Sequence, residues 1–116
     1  MATELERRHP GTIKIVRYED LSILPSNVTK DILEFLNLPM TAKVSEFIDT
    51  HTKVTVNKKK VPAYGTKRDS EATAFAWRDK LSFDNIQTIQ KTCKEAMKKL
   101  GYMMYVTKED VKKYPI

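Results

Sequence analysis

The sequence predicts an α/β fold built from one parallel-type strand and a majority of helices, and predicts that fold as incomplete. Two observations carry the class. Thr12-Ile13-Lys14-Ile15-Val16-Arg17-Tyr18 is rich in β-branched residues and nearly continuous in apolar character, as in a strand covered on both faces of a parallel sheet. Elsewhere, apolar residues recur at helical spacing. A third observation supplies the incompleteness. A two-faced strand needs neighbours on both edges, and only Tyr102 to Val106 offers a second, weaker candidate. The missing strands are expected ahead of this segment, so residues 1–116 read as one part of a single domain.

Taken in order, Ala2 to Arg8 reads as a helix that Pro10-Gly11 stops. The strand follows, with Glu19-Asp20 at its C-terminal end, where α/β proteins place ligands. Pro25 suits a first helical turn, and Val28, Ile32, Phe35 and Leu36 hold one face until Leu38-Pro39 closes the helix. Thr41 caps a shorter helix with Val44, Phe47 and Ile48 on its apolar face. Thr50 to Thr66 lacks a helical period and contains Pro62 and Gly65, which predicts a long loop. Loops of that length are more often functional than idle. Glu71 to Leu81 has helix-forming composition around Trp77. Ser82 then caps the clearest helix, with Ile86, Ile89, Gln90, Cys93, Ala96, Met97 and Leu100 on its apolar face and Gly101 just past its end. Thr107 to Asp110 begins a final turn.

Composition narrows the function classes. With 41% hydrophobic and 31% charged residues the chain is globular, not disordered. Its apolar runs are far shorter than the roughly 20 residues of a membrane span, and its polar start is no signal peptide, so no membrane contact is expected within the segment. Cys93 is the single cysteine, which excludes an internal disulfide and a thiolate metal site; no metal is expected. The net charge is +6, and Lys53 to Arg68 carries six basic residues with no acid. Such a surface attracts phosphate, sulfate or acidic glycans; the alternative is a solvated lysine-rich loop around Lys58-Lys59-Lys60. The aromatic residues are not interleaved with the basic ones as a base-stacking platform requires, so no nucleic acid is expected as partner.

Three places suit an anionic nucleotide: the strand end Arg17 to Leu21, the helix exit Phe47 to Thr52, and Tyr64-Gly65-Thr66-Lys67-Arg68-Asp69-Ser70. In the last, Gly65 frees the backbone, Thr66 and Ser70 offer hydroxyls, and Arg68 offers a planar fork for phosphate oxygens. It also leads into a helix whose first amides favour an anion. From the residues alone, a structural loop with an Arg68–Asp69 surface pair fits equally well.

Arg17-Tyr18-Glu19-Asp20-Leu21, Phe35-Leu36-Asn37-Leu38-Pro39, Tyr64 to Ser70, Ala76-Trp77-Arg78-Asp79-Lys80-Leu81, Ile89-Gln90-Lys91-Thr92-Cys93 and Gly101-Tyr102 occur in this order. The series resembles the C-terminal half of the Golgi carbohydrate 6-O-sulfotransferases, which act on galactose or N-acetylhexosamines. That resemblance implies the C-terminal portion of a P-loop-like sulfotransferase fold. It also implies 3′-phosphoadenosine 5′-phosphosulfate (PAPS) as sulfate donor, a glycan as acceptor, and a parent enzyme on the luminal side of the Golgi membrane. On the same basis Tyr18 and Thr52 fall beside the adenine, and Arg68 and Ser70 in the loop that clamps the 3′-phosphate. Lys53-Val54 after Thr52 departs from the cytosolic relatives, and a buried strand-end role for Tyr18 stays open.

The family's Gly/Ser/Thr-rich loop for the 5′-phosphosulfate does not occur in this sequence, nor does its second 3′-phosphate segment. Stabilisation of the transferring group therefore lies outside these residues, and the segment by itself is expected to be inactive. His9 and His51 stand alone, and neither is picked as a base. Two other readings remain: a non-enzymatic polyanion-binding helical module, and an inactive truncated relative.

Overall fold

The computed structural model describes residues 2–53 and 69–113. They form helices α1 (Ala2–Arg8), α2 (Tyr18–Ile23), α3 (Pro25–Phe35), α4 (Ala42–Thr52), α5 (Ser70–Phe75), α6 (Trp77–Lys80), α7 (Phe83–Lys99) and α8 (Asp110–Lys113). The chain divides into two units, Met1–Thr73 and Ala74–Ile116.

In the first unit the helix boundaries follow local chemistry. Thr41 Oγ1 accepts from the Val44 amide at 3.3 Å and caps α4, and Pro25 occupies the first turn of α3. At the end of α3, Asn37 adopts φ 55°. The Leu38 amide donates to Leu33 O at 2.8 Å and the Asn37 amide to Glu34 O at 3.0 Å. This is the Schellman pattern, with asparagine tolerating the left-handed conformation usually left to glycine. Helix α3 packs against both α2 and α4.

The expected strand is not formed. Residues 13–17 have no regular secondary structure, and Tyr18 opens α2 instead of ending a strand. Arg17, the N-cap of α2, is extended (φ −81°, ψ 137°). A strand needs a partner to take its amides and carbonyls, and among the described residues there is no strand, only an isolated antiparallel bridge between Lys53 and Asp69. The sheet of the expected α/β fold thus does not occur among the described residues. Much of the apolar surface read as core is also uncovered: Leu36 and Leu38 are exposed, as is Phe47 of α4.

The second unit is organised by α7. Ser82 Oγ accepts from the Asn85 amide at 3.3 Å to cap it. Gly101 at φ 72° closes it, with Tyr102 N donating to Met97 O (2.8 Å) and Gly101 N to Lys98 O (3.2 Å). Of its predicted apolar face, Ile86 and Gln90 are buried while Ile89, Cys93, Ala96 and Leu100 are exposed. Tyr102 to Tyr105 is not the second strand either. Side chains serve its backbone: Gln90 Nε2 and Gln87 Nε2 each donate to Tyr105 O at 3.0 Å, and Gln90 Oε1 accepts from Tyr105 N. Thr107 and Asp110 exchange reciprocal bonds, Thr107 N to Asp110 Oδ2 at 2.9 Å and Asp110 N to Thr107 Oγ1 at 3.3 Å, forming a capping box before α8.

Candidate functional site

Two ties join the segments that flank residues 54–68. The Lys53–Asp69 bridge brings together the residues that flank 54–68. Next to it, Ser70 Oγ donates to the Ser22 carbonyl at 2.7 Å, linking the start of α5 to α2 across 48 positions of sequence. The segments bearing Tyr18, Thr52 and Ser70 are thereby connected within one unit. Arg68, like Tyr64, Gly65 and Lys58-Lys59-Lys60, lies outside the described residues.

Each candidate has its own setting. Tyr18 stands in the first turn of α2 and is 56% exposed, so the buried strand-end alternative falls away. Its carbonyl accepts from Ser22 Oγ at 2.8 Å. Thr52 lies in the last turn of α4, not in a loop, because the helix runs past Thr50. Thr50 Oγ1 donates to Glu46 O and Thr52 Oγ1 to Ile48 O, both at 2.8 Å, bonding back one turn as helical threonines do.

The hydroxyl hydrogens of Thr52 and Ser70 are therefore committed, since a carbonyl can only accept. A phosphate also only accepts, so either hydroxyl must exchange a bond to reach one. For Ser70 the gain is about 1.5–3 kcal/mol for a bond to a charged group, against about 0.5–1.5 kcal/mol for the neutral bond surrendered. Where the Ser22 carbonyl is left without a donor the loss is about 1–3 kcal/mol instead, and Ser22 is 4% exposed. Gain and loss are comparable, and in the described conformation Ser70 ties the start of α5 to α2.

Sequence reasoning missed Asp69. Its Oδ1 accepts from the Ala72 amide at 2.8 Å, so a carboxylate already occupies the α5 amide that was expected to meet an anion. The signal was available, because Asp69 stands three residues before Ala72 at a helix start. Also missed was a ring pair: Phe47 and His51 stack with centroids 3.9 Å apart and planes 18° apart. Their i, i+4 spacing on α4 was readable.

In the second unit an open groove of about 600 Å³, lined by Gln87, Gln90, Lys91, Lys94, Met104 and Tyr105 among others, contains none of the candidate residues. Trp77 lies 6.1 Å from the Tyr105 ring, in keeping with packing. Among the described residues no three acidic, histidine or cysteine side chains gather as metal ligands, and no helix is long and apolar enough to cross a membrane.

A family model described as Sulfotransferase domain matches residues 1–101. Carbohydrate sulfotransferase 1 of Rattus norvegicus is 39% identical over 104 residues, 88% of this chain and 25% of that protein. The Homo sapiens protein of the same name is 38% identical over 104 residues, again 88% and 25%. Carbohydrate sulfotransferase 3 of Mus musculus is 29% identical over 108 residues, 90% of this chain and 22% of that protein. The chain thus spans about a quarter of the length of these relatives. No solved structure matches it.

Proposed function

Because the chain belongs to the sulfotransferase domain family, we propose that it forms part of a carbohydrate sulfotransferase and supplies the side that binds the nucleotide of the donor. In this reading PAPS is the donor and a hydroxyl of galactose or an N-acetylhexosamine the acceptor, on the luminal side of the Golgi. The S–O bond to the sugar forms as the S–O bond to the 5′-phosphate breaks, the hydroxyl proton is released, and adenosine 3′,5′-bisphosphate leaves. Residues of this chain bind and orient. Arg68 supplies the charge opposite the 3′-phosphate with Ser70 beside it, and Tyr18 and Thr52 flank the adenine.

The observation that most supports the reading is the pair of ties beside residues 54–68, Lys53 to Asp69 and Ser70 to Ser22. They draw the segments bearing Tyr18 and Thr52 toward the two ends of the one strongly basic stretch. Titration calorimetry of adenosine 3′,5′-bisphosphate into the chain tests it. Saturable binding that Arg68→Ala weakens roughly 10- to 150-fold, the worth of about 1.5–3 kcal/mol for a charged hydrogen bond, is the expected result. Binding of heparin with a steep salt dependence, and no preference for the bisphosphate over inorganic phosphate, would replace it with a polyanion-binding module.

A further inference from the structure

Asn27-Val28-Thr29, at the start of α3, is an Asn-X-Thr sequon with valine in the middle, where proline would forbid it. A pattern this short also arises by chance, and the placement of its residues on the helix is what gives it weight. At about 100° per residue, Asn27, Lys30, Asp31 and Glu34 fall on one stripe of α3. All of them are exposed, and Lys30 and Glu34 pair across the stripe at 3.8 Å, each 64% exposed. Val28, Thr29, Ile32 and Leu33 are half-buried on the other side, and α3 packs against α2 and α4. A hydrated oligosaccharide on Asn27 thus projects over the stripe that faces water and displaces none of the packed side chains. The charged neighbours keep this stripe toward solvent in a longer parent protein as well.

We infer that Asn27 carries an Asn-linked glycan, added before α3 forms. The inference rests on the proposed function for its luminal setting alone. The donor is a polyprenyl pyrophosphate-linked oligosaccharide. Asn27 Nδ2 bonds to C1 of the first sugar as the C1–O bond to the pyrophosphate breaks; the pyrophosphate leaves with the electron pair and one Nδ2 proton is released. The order of events follows from helix geometry. Thr29 stands about 200° round the helix from Asn27, so in folded α3 the amide and the hydroxyl of the sequon face opposite ways. A transferase that reads both can do so only while the segment is unfolded.

The test is translation of the chain with microsomes, behind a cleavable secretory leader and ahead of an appended reporter sequon. Gel mobility before and after peptide N-glycosidase is the readout, and the reporter glycan shows that the chain has entered the lumen. Wild type is expected to carry the reporter glycan and a second one. Asn27→Gln and Thr29→Ala should each lose the second glycan, and Thr29→Ser, which keeps the hydroxyl, should retain it in part. Chain folded without membranes and then given to detergent-opened microsomes should stay unmodified at Asn27. A wild-type chain with the reporter glycan alone overturns the inference, as does a second glycan that survives Asn27→Gln. Modification of the folded chain overturns the order of events. None of these results touches the proposed function, which the bisphosphate titration decides on unglycosylated chain.

Discussion

Replacing Gln90 by Met should destabilise the second unit by about 2 kcal/mol, and the value can be worked from three hydrogen bonds. Gln90 is 4% exposed, and its amide serves both sides of Tyr105, donating from Nε2 to O at 3.0 Å and accepting at Oε1 from N. Met has similar length and an apolar end, so the change removes hydrogen bonding with little change in volume. The Tyr105 carbonyl keeps Gln87 Nε2 at 3.0 Å, and that half of the loss is worth about 0.5–1 kcal/mol. The Tyr105 amide loses its Gln90 acceptor in a half-buried place, at about 1–2 kcal/mol. The total lowers the folded-to-unfolded ratio about 30-fold and the urea midpoint by about 1 M. Trp77, the single tryptophan, is 6.1 Å from the Tyr105 ring and reports the transition by fluorescence. Gln87→Met, which removes only a second donor from a carbonyl already served, should cost less than about 1 kcal/mol. A Gln90→Met midpoint within error of wild type, or equal to that of Gln87→Met, would refute this account of how residues 102–105 are held without a strand partner.

Ser70→Ala should cost about 1–2 kcal/mol by releasing the Ser22 carbonyl, and Ser70→Thr should recover part of it; urea midpoints of the two variants decide this. Gly101→Ala forces a side chain into φ 72° and should destabilise α7 by about 1–2 kcal/mol, whereas Asn37→Gly at φ 55° should be nearly neutral; thermal melts followed by circular dichroism compare them. Asp110 titrates below its ordinary 3.8, first because the Thr107 amide donates to it and next because the Thr107 hydroxyl bonds to it. A lowered folded value means that its contribution is complete above the unfolded pKa and is lost as pH falls through the folded one. Asp110→Asn should therefore flatten the fall in stability below about pH 4, as urea midpoints across that range would reveal.

Several features were legible in the sequence because they depend on residues within one turn of each other. Thr41 and Ser82 cap α4 and α7, and Gly101 ends α7 in the Schellman pattern, since these bonds join residues three to five apart. The ordered motifs that resemble carbohydrate sulfotransferases were equally legible, and the Sulfotransferase domain match over residues 1–101 agrees with them. The candidate site was legible only as a list of residues. Tyr18 and Thr52 were read at a strand end and a helix exit and stand on helices.

What tertiary structure decided was where the polar groups of distant segments find partners. A β-branched run becomes a strand only if another strand takes its amides, and for residues 13–17 the described structure contains none. Ser70 became a tie because the Ser22 carbonyl lay within reach, and residues 102–105 were secured by glutamine side chains in place of a ladder. Neither pairing leaves a periodic trace in sequence, because each joins single groups across 15 to 48 positions. The sequence by itself determined the family and the caps of α4 and α7; the fold determined which hydroxyls are spent on the backbone.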